Sequence, residues 1–140
     1  DYRFSLGKAV TIRPGEEVTI IAIGIMVAAA LKAADNLKRE GIDCCVLNMP
    51  TLKPLDEAII IKAATDTGAI VTAEEHLEHG GLGSLVAQVV AKYHPVPIGF
   101  VAIKDTYAKS GKAAELLQQY GLTAKDIEQA VRSVIKRKQR

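Results

Sequence analysis

Short apolar runs alternate with amphipathic stretches along the chain. Lys8 to Ile12 and Val18 to Ile23 are rich in Val, Ile and Thr, and they predict short strands. Between them, Arg13-Pro14-Gly15-Glu16 has Pro at the second turn position and Gly at the third. That signal predicts an antiparallel hairpin. Met26 to Glu40 predicts a helix: Val27, Ala30, Leu31, Ala34 and Leu37 share one side, with Lys32, Asp35, Lys38 and Arg39 elsewhere. Gly41 is placed to end it in a left-handed conformation, with Ile42 as the apolar partner of that cap. Asp43 to Asn48 predicts a third strand.

Pro50 and Pro54 bracket a loop before a helix over Leu55 to Thr65, which Gly68 closes. The apolar pattern then gives a buried strand over Ala69 to Ala73 and a helix over Leu82 to Tyr93, with Leu85, Val86, Val89 and Val90 on one face. Ile98 to Ile103 is the fifth strand. Lys112 to Tyr120 predicts a helix ended by Gly121. A last helix starts at Thr123 as N-cap, with Asp126 three residues on and Ile127, Ala130, Val131, Val134 and Ile135 at helical spacing. Strands joined by helical crossovers imply a parallel sheet covered on both faces. The expected architecture is α/β, an open three-layer α/β/α sandwich. Its five-stranded sheet is mostly parallel, with the first strand antiparallel. The segments divide as a linker remnant at 1–7, one domain at 8–135 and a basic C-terminal tail at 136–140.

Composition narrows the function classes. With 140 residues, 49% hydrophobic and 24% charged, the chain is an ordinary globular domain with enough length for a core. A formal charge of +2 is too small to point to nucleic acid or a membrane surface. Aromatic residues are 4% with no Trp, so stacking platforms for single strands are missing. The longest apolar stretch, Val18 to Leu31, contains Gly24 and is too short to span a bilayer. Cys44 and Cys45 are neighbours on a strand and so point to opposite faces, which disfavours a shared metal or a mutual disulfide. They are expected to be buried thiols in a reducing cytoplasm. The opening Asp1-Tyr2-Arg3-Phe4 has the character of a linker, so the chain is expected to be a piece of something longer. The basic residues of the tail suit a helix C-terminus and are expected to be solvated.

In open α/β sheets, ligands sit beyond the carboxyl ends of the strands. The loops to inspect follow Ile23, Asn48, Ala73 and Ile103. The richest runs from Glu74 through Glu75, His76, Glu78, His79, Gly80, Gly81 and Gly83 to Ser84. It leaves a strand and opens a helix, as a phosphate cradle would. However, Val86 stands where a dinucleotide fingerprint needs its third Gly, and no Gly-Lys-Ser/Thr follows. An anion would also meet Glu74, Glu75 and Glu78, and these carboxylates could occupy the helix start themselves. Metal binding through His76, His79 and a carboxylate has only loose spacing to support it. Acid–base work by either His lacks a recognisable Ser or Cys partner. The favoured reading is a charged loop packed against another domain or subunit. Gly24-Ile25-Met26 offers large apolar residues, which suit contact with another surface or the core. Lys104 to Lys112 contains Ser110-Gly111 between lysines, a phosphate site or, more simply, an N-cap by Ser110. His94 is an ordinary surface residue.

The ordered motifs carry a resemblance. Gly7-Lys8-Ala9, then Val18 to Gly24 and an Ala-rich helix, resembles the third domain of transketolases. Lys53-Pro54-Leu55-Asp56 is similar to that family's motif of a basic residue, Pro, Leu or Ile, and Asp at a helix start. Val71-Thr72-Ala73-Glu74-Glu75-His76 with Gly80-Gly81-Leu82-Gly83 resembles its acidic–His stretch and following glycines. Ser110-Gly111-Lys112, Glu115-Leu116-Leu117 and Tyr120-Gly121-Leu122 resemble its closing pattern. The match runs in order from about Lys8 to Val134. The β subunits of 2-oxo-acid dehydrogenases and the deoxyxylulose phosphate synthases share this domain.

What the resemblance implies is restrained. Such enzymes move a ketol unit between sugar phosphates with thiamine diphosphate and a divalent metal (Mg). The family's Gly-Asp-Gly metal–diphosphate motif belongs to the first domain and does not occur in this sequence. The Glu that activates the cofactor belongs to the middle domain. The chain is therefore expected to hold no catalytic, cofactor or metal residue, and to be inactive alone. Its expected role is structural: to buttress the remaining transketolase domains or subunit within a cytoplasmic homodimer. By the same resemblance Glu74, His76, Gly80, Gly81 and Gly83 sit at the strand-end edge, where a small anionic regulator is the alternative. The sequence departs from the family at Gly24-Ile25, where many relatives have a small or hydroxylic residue after Gly, and that weakens an anion site there.

Overall fold

The computed structural model describes residues 8–75, 81–103 and 113–138. Strands β1 (Val10–Arg13), β2 (Val18–Ala22), β3 (Cys44–Asn48), β4 (Ile70–Glu75) and β5 (Ile98–Ile103) form one sheet in the order β1-β3-β2-β4-β5. β1 lies antiparallel to β3, and the β2–β3, β2–β4 and β4–β5 pairs are parallel. Helices α1 (Met26–Lys38), α2 (Glu57–Thr67), α3 (Leu82–Tyr93) and α4 (Ala113–Lys138) connect and cover it. The expected three-layer α/β sandwich with one antiparallel strand is the fold observed.

The expected β1–β2 hairpin does not form. β1 pairs with β3 and is separated from β2 by that strand. Burial explains the choice. Every residue of β2 is buried, so it takes the sheet centre between β3 and β4, whereas the two middle residues of β1 are exposed and suit an edge. The link from β1 to β2 must then cross the start of β3. Gly15 makes the crossing: a Cβ there would stand 2.2 Å from the carbonyl carbon of Cys44. Pro14-Gly15 does redirect the chain, but over a neighbouring strand rather than back along its own.

Strand alternation divides the core between the two faces. Val18, Ile20 and Ala22 of β2 pack with Met26, Ala30, Ala33 and Leu37 of α1 and Ile127, Val131 and Val134 of α4. Ile21 faces the other way, onto Ile60 and Ala64 of α2 and Leu82, Val86 and Val90 of α3. Cys44 falls in the first cluster and Cys45 packs against the second, as their neighbouring positions require.

The helix ends follow capping chemistry. Gly41 has φ +81°, the Gly41 N–H donates to Lys38 O at 3.0 Å, and the Ile42 N–H donates to Leu37 O at 3.0 Å, which is the long closing bond of a Schellman-type end. Gly68, at φ 72°, closes α2. Asp56 caps the start of α2 by accepting from the Ile59 N–H at 3.3 Å, and its other oxygen accepts from the Ala9 N–H at 2.9 Å, tying the entry of β1 to that helix.

One expectation for the C-terminal part is corrected and another is extended. No break occurs at Gly121: α4 runs unbroken through Gly121 and Thr123. A single interior Gly costs a helix only about 1 kcal/mol, and the buried stripe of Ile127, Val131 and Val134 on α1 outweighs it. The basic end is exposed, as expected, but it is also anchored. Arg137 donates to Ile98 O at 2.7 Å, and Lys138 Nζ donates to Glu17 O and Thr67 O at 2.6 Å each. These contacts pin the end of α4 across the amino-terminal edge of the sheet.

Candidate functional site

The strand order reverses between β2 and β4. The chain leaves β2 for β3 on one side, then crosses back to β4 on the other. Open α/β sheets bind ligands at such a switch point, beyond the carboxyl ends of the two strands. Here a shallow crevice of about 230 Å³ is lined by Ile23, Gly24, Ile25, Glu74 and Glu75.

Its acidic side is already used. The Glu74 carboxylate turns back onto the first turn of α3. Oε1 accepts from the Leu82 N–H at 2.8 Å, and Oε2 accepts from the Gly83 N–H at 2.7 Å. Gly81, the N-cap residue, supplies no side chain for the purpose. A charged acceptor on the free amides of a helix start is the arrangement that an anionic ligand would otherwise make. Glu74 thus takes the place of the phosphate in the cradle reading, and the alternative in which a carboxylate fills the helix start is the one realised.

Gly83 permits this closeness. A Cβ at Gly83 would lie 2.8 Å from the Phe100 ring and 3.2 Å from both Glu74 Oε2 and Thr72 Oγ1. Thr72 is fully buried beneath, and its hydroxyl has no protein partner among the described residues. The remaining predicted residues are spread out. Gly81 is buried, Ser84 is exposed on α3, and Glu75 is half-buried at the end of β4. His76, Glu78, His79 and Gly80 lie outside the described residues, as does the stretch from Lys104 to Lys112. In the loop after β2, Gly24 has φ +61°, Ile25 packs against the core and Met26 is buried in it. Among the described residues, no group of three or more His, Cys, Asp or Glu is arranged to hold a metal ion.

A second hollow lies at the opposite, amino-terminal edge of the sheet. It measures about 170 Å³ and is bounded by Thr11, Gly15, Thr19, Cys45, Lys62 and Asp66, among others. Burial pushes the Cys45 thiol up from its ordinary pKa, against the opposing influence of Thr19 and the Gly15 backbone. Burial also pushes Cys44 up to about 12. Thiols held in the protonated form are poor nucleophiles. Sequence reasoning missed this hollow because it depends on the unforeseen path of Pro14-Gly15 across β3.

Comparison with known proteins agrees with this geometry. The family pattern described as "Transketolase, C-terminal domain" matches residues 7–127. The 6-deoxy-6-sulfo-D-fructose transketolase subunit of Clostridium sp. is 46% identical over 96% of this chain and 42% of its own length. An apulose-4-phosphate transketolase subunit of Phocaeicola vulgatus is 41% identical over 91% of this chain and 40% of its own length. A 1-deoxy-D-xylulose-5-phosphate synthase of Heliobacterium modesticaldum is 40% identical over 92% of this chain, but over only 20% of itself. The solved structure of a split gene transketolase, described as an inactive beta4 tetramer, superposes with a TM-score of 0.83 at 44% identity, covering 96% of this chain and 44% of that one. The chain thus spans less than half the length of each of these relatives.

Proposed function

The chain belongs to the transketolase C-terminal domain family, and from that premise we propose that it is a non-catalytic structural and assembly domain of a thiamine-diphosphate-dependent transketolase. The observation that carries this reading is the Glu74 carboxylate on the amides of Leu82 and Gly83. At the place where an open α/β sheet would take an anionic ligand, the chain has filled the site with its own side chain.

The same observation tests the family's cofactor against this chain. A diphosphate needs free amides and cationic or metal partners. The described helix start offers occupied amides beside a second carboxylate, Glu75, and the sequence contains no Gly-Asp-Gly. These residues do not fit thiamine diphosphate, so in this reading the cofactor and its divalent metal (Mg) are assigned to segments outside this chain. The domain's partners are those segments, within a homodimeric parent enzyme working on sugar phosphates in the cytoplasm. Among the described residues no helix is long and apolar enough to cross a membrane. We extend one further property from the split-gene relative, an inactive tetramer of beta chains: without its catalytic partner, this chain self-associates.

The test is reconstitution. This chain is mixed with the cofactor-binding segments of a split transketolase, and ketol transfer is measured with each part alone as control. Activity is expected only in the mixture. Turnover by this chain alone with thiamine diphosphate and magnesium would overturn the proposal. The deoxyxylulose phosphate synthase relative supports a second reading of the parent activity, and reconstitution with segments of that enzyme instead would favour it. The regulatory-anion alternative predicts saturable phosphate binding, which the filled helix start opposes.

A further inference from the structure

The two edges of the sheet are finished differently. At β1 the register with β3 shifts between Thr11 and Arg13, and Arg13 is paired with Asp35. Register breaks and charges are devices by which sheets keep edges from pairing with strangers. β5 has neither. Its sequence, Ile98-Gly99-Phe100-Val101-Ala102-Ile103, carries no charge and no proline. It follows β4 in unbroken register from Ile70↔Ile98 to Glu75↔Ile103. Phe100 is 60% exposed, and among the described residues no strand pairs with the outer side of β5.

We infer that this outer edge of β5 is the surface through which two copies of the chain pair, strand against strand, about a two-fold axis. The inference rests on the self-association proposed above and names the surface that performs it. The backbone directions fix how the copies meet. The Ile70 N–H donates to Pro97 O at 3.0 Å. In a parallel ladder, alternate residues face a given neighbour. Gly99 and Val101 therefore face β4, and Ile98, Phe100 and Ala102 turn their N–H and C=O groups outward. The Arg137 guanidinium donates to Ile98 O at 2.7 Å, in agreement with this outward direction.

A strand meeting its own copy antiparallel about a two-fold axis is self-complementary. Centring the pair on Phe100 sets that residue opposite its counterpart and sets Ile98 opposite Ala102, so each outward N–H meets an outward C=O. Arg137 then releases Ile98 O to the incoming strand. The occupant is a second copy rather than a charged partner segment because β5 itself has no charged side chain and a relative of this chain is described as a tetramer of beta chains. With no like charges opposed, nothing electrostatic resists self-pairing. The Phe100 ring, supported from behind by Gly83, lies where the two copies would bring aromatic side chains together.

Sedimentation velocity of the 140-residue chain over a range of concentrations, with three variants, tests this. Wild type is expected to show a reversible dimer or a higher even-numbered species. Phe100→Glu opposes two carboxylates at the axis and is expected to weaken association by about tenfold or more, with an unchanged melting temperature showing that it folds. Residues opposite each other in a hydrogen-bonded antiparallel pair have Cα atoms about 5.5 Å apart, within disulfide reach. In a Cys45→Ser background, Phe100→Cys is expected to cross-link between copies on mild oxidation, and Ala102→Cys is not. If wild type associates but Phe100→Glu changes nothing and Phe100→Cys does not cross-link, the β5 surface is wrong and the self-association reading survives. Wild type that stays monomeric at every concentration overturns both.

Discussion

Glu74 decides what the strand-end crevice can be. Its two short bonds to the Leu82 and Gly83 amides, 2.8 and 2.7 Å, hold the start of α3 against the end of β4. Glu74→Ala leaves both donors without that acceptor, and we expect a loss of about 1.5–3 kcal/mol, the usual range for hydrogen bonds to a charged group. Glu74→Gln keeps one acceptor oxygen and should cost less. Urea midpoints of the two variants check the order, and an unshifted midpoint for Glu74→Ala would show that the cap does not hold the helix. The sequence already showed a helix start beside three glutamates. It left open which of them folds back, since that depends on the parity of β4: Thr72 and Glu74 share the face toward α3, and Glu75 falls on the other. The thiols make a second prediction at this scale. Burial holds the folded Cys44 pKa up to about 12, while the unfolded thiol titrates at about 8.5. Between these values the native state keeps a proton that the unfolded state has lost. This contribution is therefore complete below about pH 8.5 and falls away as the pH rises toward the folded value. Cys44→Ala should flatten the decline of the melting temperature in alkaline buffer. Parallel declines in both proteins would remove Cys44 as a source.

Whole elements depended on tertiary context that local pattern does not contain. Pro14-Gly15 is a sound turn signal, yet nothing in those residues says whether the chain returns beside β1 or passes over β3. Competition for the sheet centre settles it: β2 is buried on both faces and excludes β1 to the edge. Gly15 bears the consequence. A methyl there would meet Cys44 C at 2.2 Å and Cys45 N at 2.4 Å, both backbone atoms that cannot swing aside. Gly15→Ala should therefore lift the crossing and cost about 1–3 kcal/mol, in the range of overpacked sites. Hydrogen exchange locates the damage: Val10 to Arg13 should lose protection before Val18 to Ala22 does. Equal loss across both strands would mean that the crossing does not hold β1 in place. α4 shows the opposite error, since Gly121 looks like a stop only when the buried stripe beyond it is left out of account. By contrast, Gly41 and Gly68 were legible as ends, because each sits where the apolar period stops and takes a positive φ.

Across the molecule, the two packed faces share one strand. β2 sends Val18, Ile20 and Ala22 to one cluster and Ile21 to the other, and every residue in it is buried. The buried Thr19 hydroxyl pairs with Thr67 at 2.9 Å, joining β2 to the end of α2. From the far side, Lys138 at the end of α4 reaches the carbonyl of the same Thr67 at 2.6 Å. Neither face can then open without disturbing the other, so the domain should unfold as one cooperative unit, as a rigid docking module must. The cysteines report on the two faces separately, because Cys44 belongs to the α1–α4 side and Cys45 to the α2–α3 side. Thiol labelling of each in single-cysteine variants should therefore track the loss of far-UV helical signal through one urea transition, with an m-value of about 1–3 kcal/mol/M. Cys45 is only half-buried, so the readout is its rate: a rise above the native labelling rate well before the helical signal falls would show that α2 and α3 detach first.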